Sequence, residues 1–195
     1  MDKQLLIRDN LIASIDLKKK LMANDATVDA IVQIVDEIVS AYKNGNKVLF
    51  CGNGGSAADA QHLAAELSGR YYYDRPPLSA EALHVNTSYL TAVANDYSYE
   101  EVYSRLVQAI GKDGDILIGL STSGNSANVV KALIEARERG CTTIGLTGKG
   151  GGKMKAHCDI NIEIDSVDTP RIQECHMLIG HSICELVEKI VFPRD

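Results

Sequence analysis

Two loops of small polar residues are the first places where this chain could do chemistry. Cys51-Gly-Asn-Gly-Gly-Ser56 and Ser121-Thr-Ser-Gly-Asn-Ser126 each follow an apolar run and precede a helical pattern. Glycines let backbone amides approach an anion at a helix N-terminus, where the helix dipole favours negative charge. The second loop gathers four hydroxyls with no lysine or arginine among them. Such a pair of loops suits a phosphate monoester gripped by neutral donors. Serine and asparagine also cap helices for structural reasons alone, but two such loops at neighbouring strand ends favour a ligand. Gly52-x-Gly54-x-x-Ala57 meets the permissive dinucleotide fingerprint. The expected second strand, however, ends in His84-Val85-Asn86 without the carboxylate that would hold a ribose, so no nucleotide cofactor is expected.

Proton chemistry has candidates on two helices. His62 and Glu66 are four residues apart, so their Cβ atoms lie about 5 to 6 Å from each other on one helix face. They could share a metal ion, or act as a base and its orienting partner. Spacing of this kind is common in ordinary surface pairs; proximity to the glycine-rich loop sets this pair apart. Near the C-terminus, Gln173, His176 and His181 stand among Ile172, Leu178, Ile179, Ile183, Leu186 and Val187. Gln173 and His181 are separated by about 80° around a helix and about 12 Å along it. Both reach one ion only if their side chains extend toward each other or if neighbouring subunits supply them.

The elements that must hold these groups are legible in the apolar pattern. From Asp25, read as an N-cap, Val28, Ile31, Val32, Val35, Ile38, Val39 and Tyr42 mark one helix face, stopped by Asn44-Gly45. Before it, Leu5, Ile12, Ile15 and Met22 form a looser stripe with no evident partner inside a compact unit, a candidate for packing on another subunit. Strands are expected at 47–51, 82–85, 115–120, 142–147 and 159–164, alternating with helices. Runs such as Ile116-Leu-Ile-Gly-Leu120 are apolar throughout, as in strands covered on both faces. The pattern predicts an α/β fold: a doubly wound, five-stranded parallel sheet flanked by helices, with an N-terminal helical extension. Ser98 and Glu101 have capping-box spacing for a helix ending at Gly111, and the last helix should run from about Pro170 to Phe192. One domain is expected over 1–195, with 1–45 as helices for oligomer packing and 46–195 as the α/β core.

Composition excludes other classes. The 195 residues carry 20 Lys plus Arg against 26 Asp plus Glu, a formal charge of −6 that disfavours nucleic acid and anionic membranes as partners. No apolar stretch of about 18 residues and no signal-peptide pattern is seen, so a cytoplasmic location is expected. Cys51, Cys141, Cys158, Cys175 and Cys184 are an odd, widely spaced set without a Cys-x-x-Cys pair, pointing to reduced thiols rather than a disulfide framework.

Taken in order, the segment Lys47-Val-Leu-Phe-Cys-Gly-Asn-Gly-Gly-Ser-Ala-Ala-Asp-Ala-Gln-His-Leu-Ala-Ala-Glu-Leu-Ser-Gly-Arg70, then Ala94-Asn-Asp96, the loop 121–128, Leu146-Thr-Gly148 and Thr169-Pro-Arg-Ile-Gln-Glu174 resemble the phosphoheptose isomerases of the sugar isomerase (SIS) domain superfamily. The likeness spans nearly the whole chain. It implies an aldose–ketose isomerase converting D-sedoheptulose 7-phosphate to D-glycero-D-manno-heptose 7-phosphate through an enediol, the first step toward the activated heptose of lipopolysaccharide and other surface glycans. It also implies a homotetramer with active sites at subunit contacts and one Zn2+ per subunit. By matching position, the resemblance assigns Glu66 and His181 as catalytic base and acid, and His62, Glu66, Gln173 and His181 as metal ligands. Asn53, Gly54, Gly55, Ser56, Glu66, Asn95, Asp96, Ser121, Thr122, Ser123, Ser126 and Gln173 become the substrate contacts. The alternative is a non-catalytic relative in the same superfamily that associates with the replication initiator DnaA; it lacks ionisable groups at the positions of Glu66 and His181, whereas both are present here.

Overall fold

The computed structural model describes residues 1–194. Two leading helices, α1 (Lys3–Met22) and α2 (Asp25–Lys43), precede β1 (Val48–Gly52), α3 (Gly55–Ser68) and β2 (Ala80–Ala82). Then follow α4 (Thr87–Asp96), a 3-10 turn at Tyr99–Glu101, α5 (Val102–Ile110), β3 (Ile116–Ser121) and α6 (Ala127–Glu138). The chain closes with β4 (Thr142–Thr147), a second 3-10 turn at Met154–His157, β5 (Ile160–Glu163) and α7 (Thr169–Val191). The five strands form one parallel sheet in the order β2-β1-β3-β4-β5, the doubly wound architecture expected.

Strand order reverses between β1 and β3, which pair directly from Val48↔Ile116 to Gly52↔Leu120. The crevice at such a switch point, outside the carboxyl ends of the strands, is where open α/β sheets bind ligands. Every residue of both strands is buried. Their side chains alternate between two cores: Val48, Phe50, Ile116, Ile118 and Leu120 face α2, α3 and α7, while Leu49, Cys51 and Leu117 face the opposite layer. That second layer is built on α5 and α6, through Val107, Val129 and Leu133. All five cysteines are free thiols, four of them buried.

Four local expectations need correction. The N-cap of α2 is Asn24, whose side chain accepts the Thr27 N–H at 3.3 Å; Asp25 lies inside the first turn. The second strand sits at 80–82 rather than 82–85, because as an edge strand it pairs only with β1 before the chain turns at Val85 N–H to the Ala82 carbonyl, 3.3 Å. Asn86 then caps α4, a helix the apolar pattern left unread. Finally, the Ser98–Glu101 capping box does not form: the Glu101 carboxylate takes hydrogen bonds from Lys131 at 2.6 Å and Ser104 at 3.0 Å, and a 3-10 turn replaces the first turn of α5. A charge-assisted bond to an ammonium outcompetes a neutral cap.

The leading helices leave apolar surface open. On α1 only Leu17 is buried, while Leu5, Ile7, Leu11, Ile12, Ile15 and Met22 are exposed, joined by Val28 and Val32 of α2. Among the described residues no helix is long and apolar enough to cross a membrane.

His176 of α7 is fully buried, its Nε2 donating to the Thr147 carbonyl at 3.3 Å while Nδ1 has no partner. Burial pushes this imidazole down to about 4, against the opposing effect of the Thr147 bond. Unfolded, the group regains about 6.5. The unfolded chain therefore binds the extra proton between those values, and the contribution to stability, complete above about pH 6.5, is lost as pH falls toward 4. Its full size is on the order of 3 kcal/mol. Chemical denaturation across pH 4 to 7 should show this loss in the parent and a flatter profile in His176→Leu; identical profiles would refute the assignment.

Candidate active site

The serine loop and the glycine loop meet at the switch point as expected. Asn53, Ser56, Ser121, Thr122, Ser123 and Ser126 line one pocket of about 210 Å³ together with Thr169 and Gln173. No charged side chain lines it. Three helices start there: α3 after Gly54, α6 after Ser126 and α7 at Thr169. None of the three has a side-chain cap. The serines are therefore not spent on capping these helices, and in α3 the Ser56 and Ala57 N–H groups turn back to the Asn53 and Gly54 carbonyls, each at 3.1 Å, leaving the hydroxyls and the remaining first-turn N–H groups to face an anion. Gly54 stands at φ +56°, a left-handed conformation that side chains rarely adopt and that turns β1 sharply into α3.

The hydroxyls are already organised. Ser121 Oγ lies 2.9 Å from Ser126 Oγ and 3.4 Å from Ser123 Oγ. Asn53 and Asn128 exchange two amide hydrogen bonds, each 2.9 Å, and the Tyr99 hydroxyl donates to Asn53 Oδ1 at 3.1 Å. Tyr103 donates from below to the Gly52 carbonyl, fixing the end of β1.

Further along α3 the second group assembles. His62 Nε2 is 3.1 Å from Glu66 Oε1 and 3.0 Å from His181 Nε2, and one ligand atom from each of the three residues lies within 4.8 Å of the others. Two imidazole nitrogens facing each other at this distance need a proton or a cation between them. Two nitrogens and one carboxylate oxygen are the donor set of a catalytic zinc site that keeps a coordination position open. The residues thus fit a divalent ion such as zinc. The meeting within one chain has a packing cause. Gly180 of α7 faces Leu63 of α3, and a Cβ built at Gly180 would fall 2.5 Å from both Leu63 methyls. This contact lets the helices approach where their next residues are His181 and His62.

The remaining candidates separate into two groups. The amide of Gln173 packs over Gly55, seven residues before His62 on α3. Asn95 and Asp96 sit at the exposed end of α4, bonded to each other at 2.9 Å, and line no part of the serine pocket. Sequence reading passed over Thr169, Asn128, Gly180 and Tyr71, whose ring centroid lies 5.8 Å from that of His181. Asn128 and Thr169 both fall within the segments that carry the family resemblance, and Thr169 also precedes a proline at a helix start. Burial shifts two neighbours of the cluster. Burial, and next the Glu66 charge, push the Cys184 thiol up to about 12. Burial also raises the Asp59 carboxyl, with His62 opposing.

Comparison with known proteins places this geometry. The family model described as SIS domain matches residues 15–148. The chain is 50% identical over 186 residues to a phosphoheptose isomerase of Aneurinibacillus thermoaerophilus, covering 95% of this chain and 94% of that protein. It is 50% identical over 186 residues to one of Clostridium acetobutylicum, covering 95% of each. A solved phosphoheptose isomerase of Neisseria gonorrhoeae superposes with a TM-score of 0.90 at 41% identity, covering 95% of this chain and 98% of that one.

Since Gly180 sets the helix spacing, Gly180→Ala should cost about 1 to 3 kcal/mol by overpacking and lower metal affinity. The added removal of side-chain bulk in Leu63→Ala should restore affinity. Calorimetric metal titration reads both variants, and an unaltered affinity in Gly180→Ala would exclude this role. From sequence, fold and site together, the chain belongs to the phosphoheptose isomerases of the SIS domain family.

Proposed function

We propose that this isomerase interconverts D-sedoheptulose 7-phosphate and D-glycero-D-manno-heptose 7-phosphate, opening the synthesis of activated heptose for surface glycans. One observation carries the reading. Along a single helix, α3, a neutral anion pocket at Ser56 is followed about 9 to 15 Å later by His62 and Glu66, which His181 completes. That separation suits an extended sugar with its phosphate far from the reacting carbons.

Aldose–ketose exchange moves one proton between adjacent carbons and another between their oxygens. Glu66 takes the C1 proton of the ketose while His181 gives a proton to the C2 oxygen, leaving an enediol. Glu66 then returns its proton to C2, His181 recovers one from the C1 hydroxyl, and the aldehyde forms with no net change in composition. His62, Glu66 and His181 would hold one zinc ion per subunit, which would supply Lewis-acid polarisation of the sugar oxygens, and Glu66 and His181 would exchange metal binding for proton transfer during turnover. Asn53, Gly54, Gly55, Ser56, Ser121, Thr122, Ser123 and Ser126 hold the phosphate through hydroxyls and amides, and hold it equally in ketose and aldose. For Gln173, the place beside Gly55 supports substrate contact over metal binding within one chain.

The assembly belongs to the same reading. The open apolar face of α1 and α2 supports packing of residues 1–45 in a homotetramer, since exposed patches of this kind mark protein contacts. Exposed Asn95 and Asp96 would then serve a site at a subunit contact. Residues 1–195 make a single domain, and five free thiols agree with a cytoplasmic setting.

Purified protein incubated with sedoheptulose 7-phosphate should form the aldose, and a chelator should suppress turnover. Glu66→Gln and His181→Gln should each lower kcat by about 10²- to 10⁴-fold, the usual worth of a general acid or base. Ser121→Ala should mainly raise KM. Parent-like turnover in Glu66→Gln would remove the assigned base, and an inactive parent that captures DnaA would favour the regulatory alternative.

A further inference from the structure

Behind the cluster lies a buried ion pair that the reaction itself does not use. Arg75 and Glu188 have side chains only 2% and 1% exposed, with Arg75 Nε donating to Glu188 Oε2 at 3.0 Å. Replacing such a pair by apolar residues is often neutral or stabilising, so stability alone is a weak account of its presence. Its bonds indicate another. Arg75 Nη2 donates to the Glu66 carbonyl at 2.8 Å and Nη1 to the Leu67 carbonyl at 2.7 Å. These are orphan carbonyls of the last turn of α3, where a cation also complements the helix dipole. The turn they close is the one carrying Glu66.

Glu188 acts on the other side. It lies seven residues after His181 on α7, two turns on and within about 20° of the same face. Its two carboxylate oxygens accept the backbone N–H groups of Tyr71 and Tyr72 at 2.8 and 2.7 Å. Those bonds lay the Tyr71 ring beside His181. One guanidinium and one carboxylate therefore join the end of α3, the face of α7 and the tyrosine segment.

We propose that Arg75 and Glu188 are positioning residues that hold Glu66 and His181 at metal-binding and proton-transfer distance. The proposal rests on the isomerase reading for its kinetic part and on the cluster geometry alone for its metal part. Loss of such a brace displaces Glu66 rather than removing it, and a misplacement of about 1 Å can cost about 10²-fold in rate.

The test compares the parent with the double variant Arg75→Met/Glu188→Leu, which removes both charges together. In a double variant that still melts cooperatively, kcat should fall at least tenfold while KM for the phosphosugar, held by the distant serine pocket, changes less than threefold. Cobalt(II), added to chelator-stripped protein without substrate and followed by its visible absorption, should bind at least tenfold more weakly. Parent-like kcat and cobalt affinity would overturn the proposal. Should the double variant not fold, Arg75→Lys keeps the charge beside Glu188 while withdrawing the fork from α3, and the same two readings decide, parent values again overturning it. A parent inactive on the phosphosugar would defeat the isomerase reading, and the cobalt comparison would still decide this one.

Discussion

The close passage of α3 and α7 governs everything else in this molecule. A helix that begins at the switch point of the sheet carries anion-binding amides at its start and ionisable side chains near its end, but it completes no site alone. His181 arrives only because Gly180 presents no side chain to Leu63. Helix axes commonly pack 8 to 10 Å apart, and the smallest residue at the crossing lets two imidazoles meet at 3.0 Å. The sheet, in turn, orients α3 and α7 by burying Leu63, Leu67, Ile179 and Ile183 in one core.

The two halves of the site use opposite physics. At the pocket, neutral groups converge and helix termini supply partial charge, so an anion finds donors without a formal partner. At the cluster, a carboxylate and two imidazoles crowd together, an arrangement favourable only with a proton or cation to share. The two lie about two to three turns apart along one helix. Both halves are then fixed in relative position by a single rigid element, which places precise chemistry better than loops do.

Much of this was written in the sequence. Uninterrupted apolar runs announced buried parallel strands, and the loops at 51–56 and 121–126 fell at the two strand ends that flank the switch point. The pairing of His62 with Glu66 followed from helical spacing alone. Other features were hidden because their causes are tertiary. Glu101 abandons Ser98 for Lys131, thirty residues away. Helix α4 escaped notice because only Val93 of its ten residues is buried, so no apolar stripe marks it. Nor does spacing along α7 reveal that the Gln173 amide packs over Gly55 while His181 meets His62. A residue such as Gly180 is silent until its neighbour across the interface is known.

The uncharged lining of the serine pocket has a consequence for how the protein meets its ligand. With a formal charge of −6 and no lysine or arginine lining the pocket itself, Coulombic attraction gives an arriving anion little help. An anion approaching a chain of the same sign is opposed at long range, and dissolved ions relieve that repulsion by screening it. Recognition is accordingly a matter of directional fit at short range.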